Sequence, residues 1–148
     1  MTQNKRTTSL LVICLQVALL VSFINPTMGA GTDISTNEIW SGTYDILDDT
    51  TVKSGVELLI QPGTTIDITG YHGLTVQGDL KAEGTTNNPI FFQSTGSPTN
   101  ITGNFSWWPG LTMMGAGETI LRNVTFVQAE IALHLLRDGA ILDNITIN

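Results

Sequence analysis

Cysteine and basic residues are scarce in this chain of 148 residues, which has one cysteine and six lysines and arginines against thirteen aspartates and glutamates. The cysteine is Cys14, so residues 31–148 cannot form the disulfides that stabilise many small secreted domains. Lys5 and Arg6 lie outside residues 31–148. That range therefore contains four basic and thirteen acidic residues and has a net charge of −9. Without a basic patch, we expect neither nucleic acid nor an anionic membrane surface as a partner.

Residues 1–30 have the order of a secretory signal peptide. Basic residues at 5–6 precede an apolar run over 9–23, and Ala30 is a small residue suited to cleavage after it. The run is shorter than the about 20 residues that a membrane-spanning helix needs. An uncleaved anchor is the alternative, because Met28 is a poor residue three positions before the cut. We predict a cleaved signal peptide and an extracellular or cell-surface protein with no membrane span after cleavage.

Helix signals are weak, whereas short apolar runs broken by Gly, Pro, Asn and Asp are frequent. Many short strands with regular breaks predict an all-β fold. The predicted strands cover residues 57–60, 64–68, 74–77, 90–93, 111–114, 124–128 and 140–147. Residues 130–137 fit a helical turn on pattern alone, and we interpret them as a strand.

Two internal matches recur at an offset of 21 residues. Residues 120–126 (Ile-Leu-Arg-Asn-Val-Thr-Phe) return as 141–147 (Ile-Leu-Asp-Asn-Ile-Thr-Ile), and 63–65 (Gly-Thr-Thr) return as 84–86. Such a period suits one coil of a parallel β-helix or a leucine-rich repeat. The leucine frame of the latter is absent, so the pattern favours the β-helix.

In a β-helix the inward side chains stack on the same positions one coil away. We predict Ile120, Val124 and Phe126 as inward residues. Their equivalents one coil later are Ile141, Ile145 and Ile147. Each buried aliphatic side chain contributes roughly 1.5–3 kcal/mol, so stability comes from the stacking of neighbouring coils.

Four segments resemble the opening coils of pectate-lyase-like right-handed β-helix proteins of microbial cell surfaces. They are residues 55–66 (Gly-Val-Glu-Leu-Leu-Ile-Gln-Pro-Gly-Thr-Thr-Ile), 74–85 (Leu-Thr-Val-Gln-Gly-Asp-Leu-Lys-Ala-Glu-Gly-Thr), 88–92 (Asn-Pro-Ile-Phe-Phe) and 108–111 (Trp-Pro-Gly-Leu). The resemblance covers residues 38–148. It implies an all-β, right-handed parallel β-helix of about four to five coils, with an N-terminal cap region at 31–54 and coils over 55–148. It implies no activity, since this superfamily includes lyases, hydrolases, adhesins and inert surface proteins.

Residues 144–148 are predicted to form a strand in mid-coil, and no polar cap follows them. A solenoid needs a terminal cap, because its last coil otherwise presents bare backbone donors, acceptors and apolar side chains. We therefore expect the β-helix to be incomplete at its C-terminal end. Further coils of a longer chain or a partner protein would cover it.

Asp45, Asp48 and Asp49 form an acidic cluster that is a candidate calcium site, because carboxylates are calcium ligands. The cluster lacks the spacing of an EF-hand, and a solvated turn is the alternative. Neither His72 nor His134 has a second ligand at metal spacing in the sequence. No cofactor apart from calcium is predicted.

Glu118, Glu130, Asp138 and Asp143 are candidates by residue type alone for the paired carboxylates of glycoside hydrolysis. No family catalytic motif accompanies them, so no residue is assigned a catalytic role. Asp143 occupies the place that Arg122 has one coil earlier, which predicts an exposed ion pair worth about 0–1 kcal/mol.

Trp107 and Trp108 are candidates for stacking on a sugar ring. The alternative is structural: Trp108 packs over the coil edge and Trp107 lies half-buried.

Four Asn-x-Ser/Thr sequons occur, at Asn100, Asn104, Asn123 and Asn144. Asn100 and Asn104 lie in the most loop-like stretch and are the predicted glycan sites. Asn123 and Asn144 belong to the repeat, where a ladder of stacked side-chain amides is a rival explanation.

The sequence favours a secreted or cell-surface β-helix with a structural or adhesive role over an enzyme. Carbohydrate binding through the outer face is one form of that role. The expected partners are an extracellular polysaccharide, another cell-surface protein, or further coils of its own chain. The alternative function is an N-terminal fragment of a polysaccharide lyase or glycoside hydrolase.

Overall fold

The computed structural model describes residues 33–95 and 107–148. The predicted signal peptide and the sequons at Asn100 and Asn104 lie outside these residues. Within them the secondary structure consists of strands joined by turns and bends, and no helix is long and apolar enough to cross a membrane. The strands stack as about five turns of an all-β parallel solenoid, which confirms the predicted fold class.

Each turn contributes a strand to each of three sides, here named A, B and C, and all strand pairs are parallel. Side A consists of β1 (Asp33–Ile34), β4 (Thr50–Val52), β7 (Leu74–Val76), β10 (Leu111–Met113) and β12 (Leu133–Leu135). Side B consists of β2 (Glu38–Trp40), β5 (Glu57–Ile60), β8 (Asp79–Glu83) and the first halves of β11 (Thr119–Val127) and β13 (Ala140–Ile147). Side C consists of β3 (Thr43–Ile46), β6 (Thr65–Ile68), β9 (Ile90–Ser94) and the second halves of β11 and β13.

The longer of the two sequence repeats is a structural repeat. Ile120 pairs with Ile141 and Phe126 with Ile147, so the offset of 21 residues is the true register of β11 on β13. The shorter match is not a structural repeat, because Thr65 pairs with Phe91 and not with Thr86. The third turn has a longer corner between sides B and C, closed by backbone hydrogen bonds between residues 85 and 88.

The predicted inward orientation of Ile120 and Ile141 is also wrong. Leu121 is buried and Ile120 faces outward, and the register places Leu142 inward in place of Ile141. The reason is Asn123, whose φ of 47° is left-handed. This residue forms a corner inside β11 and interrupts the alternation of inward and outward side chains. The inward residues Leu121 and Val124 are therefore three positions apart, whereas strict alternation from Val124 predicts Ile120 as inward.

The core is a set of continuous columns of inward side chains, one position per turn. The column on side B consists of Trp40, Ile60, Ala82, Leu121 and Leu142, and the column on side C consists of Tyr44, Ile66, Phe92, Phe126 and Ile147. Side A adds the column Ile34, Val52, Val76, Met113 and Leu135. Members in the middle turns are fully buried. The predicted inward residues Val124 and Phe126 are among the buried residues.

Residues 33–46, which lie within the region 31–54 assigned to a cap by the resemblance, form the first turn. Its strands β1, β2 and β3 pair in parallel with the strands of the second turn. The inward side chains of this turn are aromatic or aliphatic, and Trp40 stacks on Tyr44 with ring centroids 3.7 Å apart.

Candidate metal centre and surrounding surface

Three potential metal ligands meet at the corner between sides C and A. Asp48 and Asp49 lie between β3 and β4, and His72 lies at the same corner one turn later, just before β7. The pairing of Thr50 with Leu74 fixes this alignment, since it sets β4 directly beside β7. The side chains therefore come together through the stacking of turns and not through local sequence.

The three ligand atoms lie within 4.8 Å of one another. Nδ1 of His72 is 3.6 Å from Oδ1 of Asp48 and 3.9 Å from Oδ1 of Asp49. Both carboxylates are oriented by backbone amides: the N–H of Asp49 donates to Asp48 at 2.8 Å, and the N–H of Gly73 donates to Asp49 at 2.9 Å. His72 Nδ1 is shielded from solvent and has no hydrogen-bond partner among the described residues.

This group shares two members with the predicted calcium cluster. The third predicted member, Asp45, is exposed on β3 beside Asp67 and does not belong to the group. The sequence analysis missed His72, because the period of 21 residues does not align it with Asp48. The local step between β4 and β7 is 24 residues, as the partners Thr50 and Leu74 show.

The residue before His72 makes a second contact along the same corner. Tyr71 donates a short hydrogen bond from its hydroxyl to Glu130, which follows β11. This hydrogen bond raises the pKa of Tyr71, with burial and the negative charge of Glu130 as smaller causes. Glu130, one of the carboxylates considered for catalysis, is thus engaged in a contact between distant turns.

The other catalytic candidates are distributed over the molecule. Glu118 and Asp138 lie at corners between sides A and B, whereas Asp143 lies on β13 in side B. The predicted ion pair between Arg122 and Asp143 is wrong. Although the two residues are register partners, the guanidinium of Arg122 bonds Glu83 on the preceding turn at 2.6 Å.

A second pair of opposite charges lies beside these residues on side B. Lys81 donates a hydrogen bond to Glu57 at 2.6 Å, and Glu118 lies 3.9 Å from its ammonium group. The hydrogen bond to Glu57 is the main cause of a raised pKa of Lys81. The outer face of side B therefore carries neutralised charges rather than a free basic group at this point.

The two tryptophans considered for sugar binding have opposite environments. Trp108 is fully buried and packs beside the stacked rings of Phe92 and Phe126, at centroid distances of 6.1 and 6.3 Å. Its Nε1 donates to the carbonyl of Val127 at 3.1 Å. Its ring faces are thus unavailable to a sugar. Trp107 is 57% exposed and keeps an accessible indole.

Asn123 and Asn144 form the predicted amide ladder. Nδ2 of Asn144 donates to Oδ1 of Asn123 at 2.7 Å, and Nδ2 of Asn123 donates to the carbonyl of Gly84 at 2.8 Å. Both asparagines have left-handed backbones, with φ of 47° and 53°, which asparagine tolerates better than most residues. The ladder links the corners of three successive turns.

The last turn presents an apolar surface, which we name the open face. Its members occupy the inward register of β12 and β13, and they are Leu133, Leu135, Ala140, Leu142, Ile145 and Ile147. Leu142 is 42% exposed and Ile147 is 64% exposed. In the described part of the chain, β12 pairs only with β10 and β13 only with β11, so one backbone edge of each strand has no strand partner.

Comparisons of the chain with protein-family models, with curated proteins and with solved structures found no match in any of the three. The class of the protein therefore follows from the structure itself: it is a parallel β-solenoid. Membership of the pectate-lyase-like superfamily stays a prediction from the sequence resemblance.

Proposed function

We propose that this chain is a structural and adhesive β-solenoid module of the extracellular space or the cell surface, and that its open face docks a further solenoid turn. The observation that carries the proposal is the exposure of Leu142 and Ile147. Both continue columns whose members in the middle turns are fully buried. Apolar side chains at buried-type positions gain stability when another turn covers them.

The stacking of β13 on β11 defines the chemistry of the expected occupant. Its strands would place aliphatic side chains over Leu142 and Ile147 and pair with the edges of β12 and β13. An asparagine at the corner would extend the amide ladder, donating to Asn144 as Asn144 donates to Asn123. These three features favour a solenoid turn over a globular ligand or an unstructured peptide.

The extracellular location rests on the signal-peptide pattern of residues 1–30, and the adhesive role includes carbohydrate binding at Trp107. An accessible indole can stack on a sugar ring. With a net charge of −9 over residues 31–148, a neutral glycan is the expected ligand. On a glycan array the Trp107→Ala variant should lose the binding that the parent protein shows. Retained binding would exclude this residue.

The docking proposal is tested by adding a turn. A copy of residues 128–148, with valine in place of each isoleucine, is appended after Asn148, so that peptides of the copy and the parent differ in mass. Hydrogen exchange of β13 should slow when the copy stacks on it. In the matched control, aspartates replace the counterparts of Leu142 and Ile147 in the copy, and exchange of β13 should stay fast. Equal exchange rates in all three proteins would contradict the proposal.

A further inference from the structure

We propose that Asp48, Asp49 and His72 bind a divalent transition-metal cation such as Zn²⁺. The site would join the corner that leads into the second turn to the corner that leads into the third. It goes beyond the structural role of the solenoid, because none of its residues belongs to the open face or to a column.

The spacing of the ligand atoms fits a bridging ion better than a direct contact. Nδ1 of His72 lies 3.6 and 3.9 Å from the nearest oxygens of Asp48 and Asp49, which is too far for a hydrogen bond. Two ligand atoms bound at about 2.1 Å and at the tetrahedral angle are about 3.4 Å apart. A small shift of exposed side chains would therefore bring the three atoms to bonding distance of one ion.

The imidazole supplies an observation that is independent of the carboxylates. Its Nδ1 is shielded from solvent, points toward both aspartates and has no hydrogen-bond partner among the described residues. Shielded polar atoms are usually paired in folded proteins, so this unpaired nitrogen, on an imidazole that is 31% exposed, calls for an explanation such as a bound ion. A divalent cation would pair this nitrogen and balance the two carboxylate charges at once.

The donor set selects the class of metal. Calcium and magnesium prefer oxygen ligands, whereas imidazole nitrogen favours zinc, copper, iron and nickel. A site with His72 as a ligand is therefore a transition-metal site and not the calcium site suggested by the acidic residues alone. Three protein ligands leave a coordination position for water.

A metal at this position would cross-link neighbouring turns in a protein whose residues 31–148 lack cysteine. The corner holds two residues of one turn and one residue of the next, and the ion binds the folded arrangement alone. Binding of that kind raises the thermal midpoint in proportion to the logarithm of metal concentration. The effect gives a second readout that does not depend on calorimetry.

The test is isothermal titration of the purified protein with ZnCl₂ and, separately, with CaCl₂. We expect one Zn²⁺ per chain, bound more tightly than Ca²⁺. His72→Gln and Asp48→Asn should each weaken Zn²⁺ binding at least about tenfold, because even outer partners of metal ligands have effects of that size. The matched controls are His134→Gln, the other histidine, and Asp45→Asn, the carboxylate excluded from the group. Neither control should change the affinity.

Thermal unfolding separates loss of the site from loss of the fold. Without metal, His72→Gln and Asp48→Asn should unfold at the midpoint of the parent protein, and Zn²⁺ should raise the midpoint of the parent and the controls only. Zn²⁺ affinity that is undetectable in the parent, unchanged in His72→Gln, or lost in His134→Gln would overturn the proposal. A preference for Ca²⁺ would overturn the assigned class of metal.

Discussion

The two ends of the solenoid carry the same columns and differ in how well those columns are covered. At the first turn the columns of sides B and C end in Trp40 and Tyr44, whose rings stack at 3.7 Å, and Trp40 is 2% exposed. At the last turn the same columns reach Leu142 and Ile147, which are 42% and 64% exposed. The contrast shows that an inward register does not by itself bury a side chain. A large aromatic pair covers one end, whereas aliphatic side chains in the same columns stay exposed at the other.

The column of side B should show the largest difference between the two ends in the stability that a truncation to alanine removes. Trp40→Ala removes a buried indole that also donates to Glu38 at 2.9 Å, so we expect the free energy of unfolding to fall by about 3–5 kcal/mol. Leu142→Ala truncates a half-covered side chain and should cost about 1 kcal/mol. Urea denaturation measures both values. Losses of equal size would show that the two ends are equally covered.

The column of side C offers a comparison with no change of residue type. Ile66 is fully buried and Ile147 is 64% exposed in the same column. We expect Ile66→Ala to cost about 2–5 kcal/mol and Ile147→Ala about 0.5 kcal/mol. The same denaturation experiment decides the result. A cost above about 2 kcal/mol for Ile147→Ala would mean that Ile147 is buried in solution.

In the amide ladder, the stability lost on truncating an asparagine should also decrease toward the last turn, but by a smaller amount. Asn123→Ala removes a donor to Gly84 and the acceptor of Asn144, and it places alanine at a φ of 47°. We expect a loss of about 1–3 kcal/mol, against about 0.5–1 kcal/mol for Asn144→Ala. Asn123→Gly tolerates the left-handed backbone and isolates the contribution of the amide. If Asn123→Gly is as stable as the parent protein, the ladder contributes nothing.

The smallest expected effect concerns alkaline pH at the first turn. Burial raises the pKa of Tyr44 above its ordinary value of 10.0, and the charge of Glu38 adds to the rise. The folded state therefore holds this proton more tightly than the unfolded state. The resulting stability is fully present below pH 10 and is lost as the pH rises through the raised pKa.

Tyr44→Phe cannot ionise, so its stability should fall less than that of the parent protein between pH 9 and pH 11. Tyr71 and Lys81, whose pKa values are also raised, are present in both proteins and cancel in the comparison. Identical pH profiles would show that Tyr44 ionises as freely in the folded state as in the unfolded chain.

The fold could be predicted from the sequence because one repeat joins consecutive turns and has four of its seven residues identical. Residues 120–126 and 141–147 preserve the turn-to-turn register without an insertion. Strand β8 was missed because its outward residues Asp79, Lys81 and Glu83 are all charged. They obscure the alternation with the two buried residues, Leu80 and Ala82. The orientation of Ile120 depends on the left-handed backbone of Asn123, which no periodicity rule detects.

Two of the three residues of the candidate metal centre could be predicted from the sequence. Asp48 and Asp49 are adjacent and visible as an acidic cluster, whereas His72 reaches them through a step of 24 residues that departs from the detected period. The length of each corner sets that step, and corner lengths vary from turn to turn. Contacts between turns at the corners are therefore the part of a solenoid that sequence repeats predict least.

The most direct test of the open face is sedimentation velocity of the purified protein over a series of micromolar concentrations. Exposed strand edges flanked by apolar side chains associate with one another, so we expect concentration-dependent association. Ile147→Asp should abolish it, whereas Ile39→Asp should not, because Ile39 has the same 64% exposure but faces outward on the first turn. A monomeric parent protein that unfolds cooperatively, or equal effects of the two substitutions, would contradict the account.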